Sequence, residues 1–332
     1  PDGFRSLEAG MDSGNSPSIL PPNQAAFMVN ATNRGGFVSN RPGYLHPTLT
    51  FTGEEEVNFR QGRFQGAGAF QYPGGAAILC SISGRIFRIN VSTNFSVSDI
   101  SIVGDLNPTN RDFVKFQQAE TWDIIEDGQS VPLIYNGASL RRSNLAIPEV
   151  PVGDHMAYVM GRLWVSRGRQ YVAGDLYGTP SATTTPALGN ADAILKFTEN
   201  QYISEGGSFS VPMDGEGITG MIPIATPNTI LGQGPLLIST PDVIFANEVP
   251  LDRSLWKDLQ YPIQTIQSVL NGVASQESMV RVNSDVWFRD SDGGIRSFIQ
   301  ALRDFHAPGN TPQSHELLRI SEHEDKRLLP FC

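Results

Sequence analysis

Carboxylates are the residues of this chain with the most chemical potential. Asp123, Glu126, Asp175, Asp214 and Glu216 are the candidates, since two carboxyl groups flanking a glycosidic bond are enough to cleave it. Their setting argues for a plainer role. Asp127-Gly128, Gly174-Asp175 and Asp214-Gly215 are ordinary turn pairs, because Asp bonds the nearby backbone and Gly accepts positive φ. Asp290-Ser291-Asp292-Gly293-Gly294 alternates like a calcium loop, but Ala301 stands where an EF-hand needs its final acid, so a hairpin turn is expected. The five histidines (His46, His155, His306, His315 and His323) show no i, i+4 pairing, and they read as bridged or surface residues. Gly62 to Gly68 is glycine-rich but no Lys follows, so it reads as a loop rather than a phosphate cradle. No Gly-x-Ser-x-Gly elbow is present. Cys80 and Cys332 read as free thiols. No catalytic residue, metal site or cofactor is assigned.

The 332 residues carry a net charge of −10, and only 17% of them are charged. An electrostatic grip on nucleic acid needs clustered Lys and Arg, so that class is disfavoured, although an acidic wall suits a channel that only passes DNA. The 33 glycines and 23 prolines make up about a sixth of the chain, above the ordinary share. Many turn-formers with little charge point to short strands and tight connections, not to a helical bundle or coiled coil. No continuous apolar run reaches the ~18 residues of a membrane span, and the basic-then-apolar pattern of a signal peptide is absent from the first residues. Three sequons, at Asn30, Asn90 and Asn94, matter only in a secreted eukaryotic protein. The apolar end Leu328-Leu329-Pro330-Phe331-Cys332 leads us to expect further chain, or burial of Phe331 under a neighbour.

Residues 1–50 read as an irregular arm in which Asn23 caps one short helix over Gln24–Asn30. Residues 54–70, with Glu54-Glu55-Glu56 and the glycine-rich Gly62 to Gly68, read as a loop and the entry to a strand. From Ala76 the pattern is a hairpin. Ala76–Ile82 and Arg85–Val91 flank Ser83-Gly84, a turn that demands positive φ. The unit recurs at Trp122–Tyr135, His155–Asp175, Pro235–Phe245 and Met279–Phe298. Phe87, Trp122, Trp164, Phe245 and Trp287 follow one another at intervals of 35, 42, 81 and 42 residues, with a further strand region expected near Ile194–Ile203 inside the long gap. Strand-rich units of about 40–50 residues are the signature of propeller blades. Leu255–Leu259, Ile263–Leu270 and Ser297–Phe305 carry helical spacing and read as small insertions, and Thr179–Thr185 as a surface loop.

The most specific stretch is the arm. Gly10-Met11-Asp12-Ser13-Gly14-Asn15-Ser16-Pro17-Ser18-Ile19-Leu20 continues through Asn23-Gln24, Asn30, Gly35-Gly36-Phe37 and Arg41-Pro42-Gly43. It resembles the N-terminal segment of the tail nozzle (tail tubular protein B) proteins of short-tailed bacteriophages. Pro132-Leu133-Ile134-Tyr135-Asn136-Gly137-Ala138 and Gly161-Arg162-Leu163-Trp164-Val165 are similar to the blade strands of those proteins. The resemblance implies a structural virion protein, typically six copies in a ring below the portal and adaptor, lining the path by which DNA leaves. Familiar nozzle proteins are much longer than this chain, which bears on the distal tip more than on the virion role.

The reading is therefore an all-β, β-propeller-like protein of about five or six blades, with an extended arm (1–50), a propeller body (51–310) and a tail (311–332). It is expected to be a non-enzymatic component of a phage tail or head–tail connector, located in the virion. Its expected partners are copies of itself in a ring, adjacent adaptor, portal and tail proteins, and viral DNA passing without sequence-specific binding; no membrane is expected. A carbohydrate-binding or glycan-hydrolysing propeller is the alternative.

Overall fold

The structure is a computed structural model, and it describes residues 9–13, 15–32, 38–53, 55–91, 95–104, 113–178, 191–197, 208–212, 216–224, 234–250, 255–256, 263–266 and 272–303. After a small hairpin of β1 (Ala31–Thr32) and β2 (Ser39–Asn40), β-sheets follow one another along the chain. The first sheet is the meander β4 (Phe64–Tyr72), β5 (Gly75–Ile82), β6 (Arg85–Asn90) and β7 (Ser96–Asp99), with β3 (Thr50–Phe51) added parallel to β7. The second is β8 (Lys115–Ala119), β9 (Trp122–Glu126), β10 (Leu133–Tyr135) and β11 (Leu140–Arg142). The third is β12 (His155–Val159), β13 (Arg162–Arg167), β14 (Gln170–Ala173) and β15 (Ser208–Ser210). The fourth is β16 (Gly220–Pro223), β17 (Leu236–Ser239), β18 (Ile244–Asn247) and β19 (Ile263–Ile266). The fifth is β20 (Val280–Val282), β21 (Asp285–Arg289) and β22 (Ile295–Ser297).

Local chemistry explains the meanders. Ser83 and Gly84 both hold positive φ (49° and 79°), as do Met160 and Gly161 (53° and 69°). That pair of left-handed residues matches the twist of the flanking strands. Asp127 closes the turn after β9 by accepting from the Gln129 and Ser130 amides at 2.9 and 2.6 Å. Asp290 accepts from the Gly294 amide at 2.6 Å, so the Asp-Ser-Asp-Gly run is a hairpin turn, as read from sequence.

The sheets stack face to face. Phe70, Leu79, Ile125 and Leu133 fill the space between the first and second; Ile124, Ile134, Met156 and Leu163 that between the second and third. Trp164, Tyr171, Leu236 and Ile238 join the third to the fourth, and Leu237, Ile244, Val286 and Phe288 the fourth to the fifth. Each such side chain contributes about 1.5–3 kcal/mol when removed from water. The first strands of adjacent sheets touch, β4 against β8, β8 against β12 and β12 against β16. Consecutive meanders whose first strands meet at a common line are a β-propeller-like arrangement.

The helices are small. α1 (Glu55–Gln61) begins with Glu55 and Glu56, which suit the positive end of a helix, and Glu56 pairs with Arg60 at 2.7 Å. Its Phe59 packs edge-on against Phe51 and Phe87 and covers the outer face of the first sheet. α2 (Phe298–Arg303) follows β22, where a helical turn was expected.

Several expectations fail. Residues 55–61 are helix, not loop, and the strand expected after them already begins at Phe64, within the glycine-rich stretch read as loop. No helix forms over Gln24–Asn30. Ala25 instead pairs with the chain near Met11, its amide donating to the Gly10 carbonyl at 2.9 Å and its carbonyl accepting from Asp12 at 2.8 Å; a helix that short cannot persist without packing. Ile263–Ile266 is the edge strand β19, paired to β18, because β-branched residues beside an open edge favour extension. Ala191–Leu195 is a tight helical turn, while 198–203 lies outside the described residues. The 81-residue gap from Trp164 to Phe245 therefore reflects an insertion between β14 and β15 and lengthened connections rather than another sheet among the described residues. The landmark aromatics are not equivalent: Phe87 and Phe245 lie on the third strand of their sheets, Trp122, Trp164 and Trp287 on the second. Residues 255–256 form a tight turn, and the rest of Leu255–Leu259 is outside the description.

Gly66 shows what the stacking demands. A Cβ there would sit 2.1 Å from the Val114 carbonyl oxygen, and one at Gly68 would sit 2.4 Å from Phe116 Cβ. Gly66→Ala is expected to destabilise by about 1–3 kcal/mol, read as a lowered denaturant midpoint. Gln276→Ala is expected to cost a similar ~1–3 kcal/mol. It leaves the Met221 amide and carbonyl without the side-chain partners they now have at 2.6 and 2.8 Å. Unchanged midpoints in both variants would refute this view of how the sheets join.

Candidate functional site

Where the first strands converge lies a cavity of about 460 Å³. β4 supplies Phe64 to Ala67 to its wall, Phe113 and Val114 lead into β8, which supplies Lys115 to Gln117, and β12 supplies Met156. The remaining wall is Gln276 and Glu277. These two belong to a tight turn (Gln276–Ser278) that interrupts the first strand of the fifth sheet. Val273 bridges Asp290 before the turn, and Val280 pairs with Trp287 after it. The excursion thus projects toward the axis, where Gln276 clasps Met221 of β16.

Lys115 is the charged centre of this site. Its Nζ donates to the Asp154 carbonyl at 2.7 Å and bonds His155 Nδ1 at 2.9 Å. Glu277 Oε1 lies 3.8 Å away, beyond hydrogen-bond range. Burial lowers the Lys115 pKa, against the pull of Glu277, Asp154 and Glu126. Burial, assisted by Lys115, pushes the His155 pKa down to about 3, so the imidazole stays neutral and accepts from the ammonium at Nδ1. Glu126 pairs with Lys115 across the β8–β9 hairpin. Burial raises its pKa well above the carboxylate range, with Asp154 adding to the effect and Lys115 opposing it. The Asp154 carboxylate is turned away to the Gly168 amide at 2.8 Å.

The sequence candidates do not gather. Asp123 and Glu126 are three apart on β9, so they point to opposite faces. Asp123 shares the side of Ile125 toward the first sheet, and Glu126 that of Ile124 toward the third. Asp175 is buried beyond β14, Glu216 is exposed, and Asp214 lies outside the described residues. No carboxylate pair of glycosidase type forms from these five among the described residues. His155 is half-buried and His46 exposed, while the other three histidines fall outside the description. Among the described residues no three of His, Cys, Asp and Glu cluster as metal ligands. Cys80 is buried and burial pushes its pKa up to about 12, which makes it a poor nucleophile. Lys115 and Glu277 were missed by sequence reasoning. One signal was available: counting back from the Glu120-Thr121 turn places Lys115 opposite Glu126, an ammonium facing an inward acid.

Searches by family model and among curated proteins gave no match. Among solved structures, the chain is similar to BBS1N in complex with ARL6DN at 11% identity and TM-score 0.41, over 77% of this chain and 68% of that one. It is similar to PorZ, a surface component of the type-IX secretion system of Porphyromonas gingivalis, at 12% identity and TM-score 0.42, covering 71% of this chain and 26% of PorZ. It is also similar to the extracellular domain of BT4673 from B. thetaiotaomicron, at 12% identity and TM-score 0.35, over 81% of this chain and 34% of that one. The chain thus spans about a third or less of the latter two proteins. No helix among the described residues is long and apolar enough to cross a membrane.

Asp123 gives the fold a pH signature. It is 1% exposed, its oxygens have no hydrogen-bond partner among the described residues, and burial pushes its pKa up to about 8. Folding therefore favours the protonated acid, so the contribution of Asp123 to stability is fully present in the acidic range and is lost as pH rises toward 8. Asp123→Asn is expected to flatten the decline between pH 5 and 8 in thermal unfolding; an identical slope would refute the assignment.

Proposed function

We propose that this chain is a non-catalytic structural subunit that assembles with copies of itself into a ring. The carrying observation is the arm. Ile19, Phe27, Val29, Val38, Tyr44 and Leu45 are all exposed, Leu45 by 97%. A row of large apolar side chains left in water marks a segment meant to lie on another surface. The stacked sheets supply a stiff body, and head-to-tail contacts that close by rotation make rings. The resemblance of the arm to phage tail nozzle proteins supports the more specific reading of a tail or head–tail connector component around a DNA exit path. The acidic balance of the chain fits a lumen that lets DNA slide. The glycan-hydrolysing alternative loses its nearest carboxylate pair, since Asp123 and Glu126 face apart.

The test is the native mass of the full chain beside a chain lacking residues 1–44, which retains the β3–β7 pairing. The full chain is expected as a closed ring of several copies and the shortened one as a monomer with an unchanged circular dichroism spectrum. A monomeric full chain, or an oligomer indifferent to the deletion, would count against the proposal.

A further inference from the structure

The axial cavity has features that a purely mechanical role leaves unexplained. Phe64 and Phe113 line it yet stay 62% and 48% exposed. Two benzyl groups facing a water-filled hollow are costly unless something apolar covers them. Val114, Phe116 and Met156 extend the same apolar wall. Among the described residues lining the cavity, Lys115 brings the positive charge and Glu277 the negative.

The ammonium is held by two close partners and faces one carboxylate, Glu277, only at ion-pair distance. Its two close partners, the Asp154 carbonyl and the His155 imidazole, are uncharged. Glu126 behind it makes no hydrogen bond to it, and burial raises the Glu126 pKa, while the Asp154 carboxylate accepts from the Gly168 amide. The third N–H of an ammonium has Glu277 at 3.8 Å, on a side chain that is 43% exposed. A carboxylate entering the cavity could take that third donor at hydrogen-bond distance and displace Glu277 toward solvent.

We propose that the axial cavity binds a small molecule with an apolar, ring-sized body and one carboxylate, the body against Phe64 and Phe113 and the carboxylate on Lys115. The volume is ample for such a molecule. The Gln276 amide is committed to Met221, so the charge pairing with Lys115 sets the preference for an acid. This site stands apart from the arm, and its occupancy does not depend on whether the chain forms a ring.

Calorimetric titration of the full chain with 3-phenylpropionate at neutral pH tests the proposal, with 3-phenylpropionamide and 3-phenylpropylamine as matched neutral and cationic probes. The acid is expected to bind saturably and the amide at least about tenfold more weakly, because a charge-assisted hydrogen bond is replaced by a neutral one. Lys115→Met is expected to lower acid affinity by about tenfold or more. Glu277→Gln is expected to hold or tighten it, since a competing carboxylate is removed. Circular dichroism checks both folds; should Lys115→Met fail to fold, the three probes and Glu277→Gln still decide. Absent acid binding, an amide or amine that binds as tightly, a folded Lys115→Met with unchanged affinity, or acid binding lost in Glu277→Gln would each overturn the assignment.

Discussion

The structure depends on how closely the first strand of one sheet approaches the first strand of the next. At β4 and β8 that approach is nearly backbone on backbone, and only glycine at positions 66 and 68 leaves room for Val114 and Phe116. Strands that close at one edge force their sheets to diverge outward. The divergence is then filled by large side chains such as Phe70, Ile125 and Trp164. Packing and shape are thus two aspects of one constraint, and the cavity remains where the converging strands stop short of contact.

Polar side chains fasten the sheets along the same line. Gln118 of β8 reads both polar groups of Gln71, accepting from its amide at 2.9 Å and donating to its carbonyl at 2.6 Å. Gln276 treats Met221 the same way. Each side-chain amide adds a rung between sheets whose backbones otherwise meet only in isolated bonds, Val114 to Gln65 in the first case and Val273 to Thr240 in the second. Lys115 performs the matching task between the second and third sheets. Such bonds gain strength from a partly dry setting, and that setting also makes any unpaired member costly. Arg88 adds a peripheral clasp. It reaches Tyr72 and Tyr135 from β6 while its guanidinium lies over the Tyr72 ring, 5.0 Å from the centroid.

Much of the fold could be read from residues alone, and the failures share a cause. Ser83-Gly84 and Met160-Gly161 announce hairpins because the turn itself selects those residues. Gly62–Gly68 misled because glycine serves loops and close approach equally, and only the neighbouring strand decides which. Glu54-Glu55-Glu56 reads as part of a loop until Phe59 is seen to have a face to cover. Ile263–Ile266 shows helical spacing, yet an unpaired edge on β18 claims it. The candidate site was harder still. Lys115, His155 and Glu277 come from three sheets and lie far apart in the chain, so no local pattern joins them. The carboxylates that attracted attention first, Asp123 and Glu126, are separated by the simple alternation of a strand.

Each sheet is wound from one continuous stretch of chain and shares no hydrogen-bonded ladder with its neighbours. Between sheets there are apolar faces, side-chain clasps and isolated backbone bonds, such as those from the Val114 amide to the Gln65 carbonyl and from the Val273 amide to the Thr240 carbonyl. Tension drawn along the polypeptide would therefore reach one meander at a time: the contacts between sheets would shear first, and each ladder would then unzip as its own unit. Pulled from its ends, the molecule would yield in a series of separate ruptures, as a chain of buckles opens, instead of giving way at once.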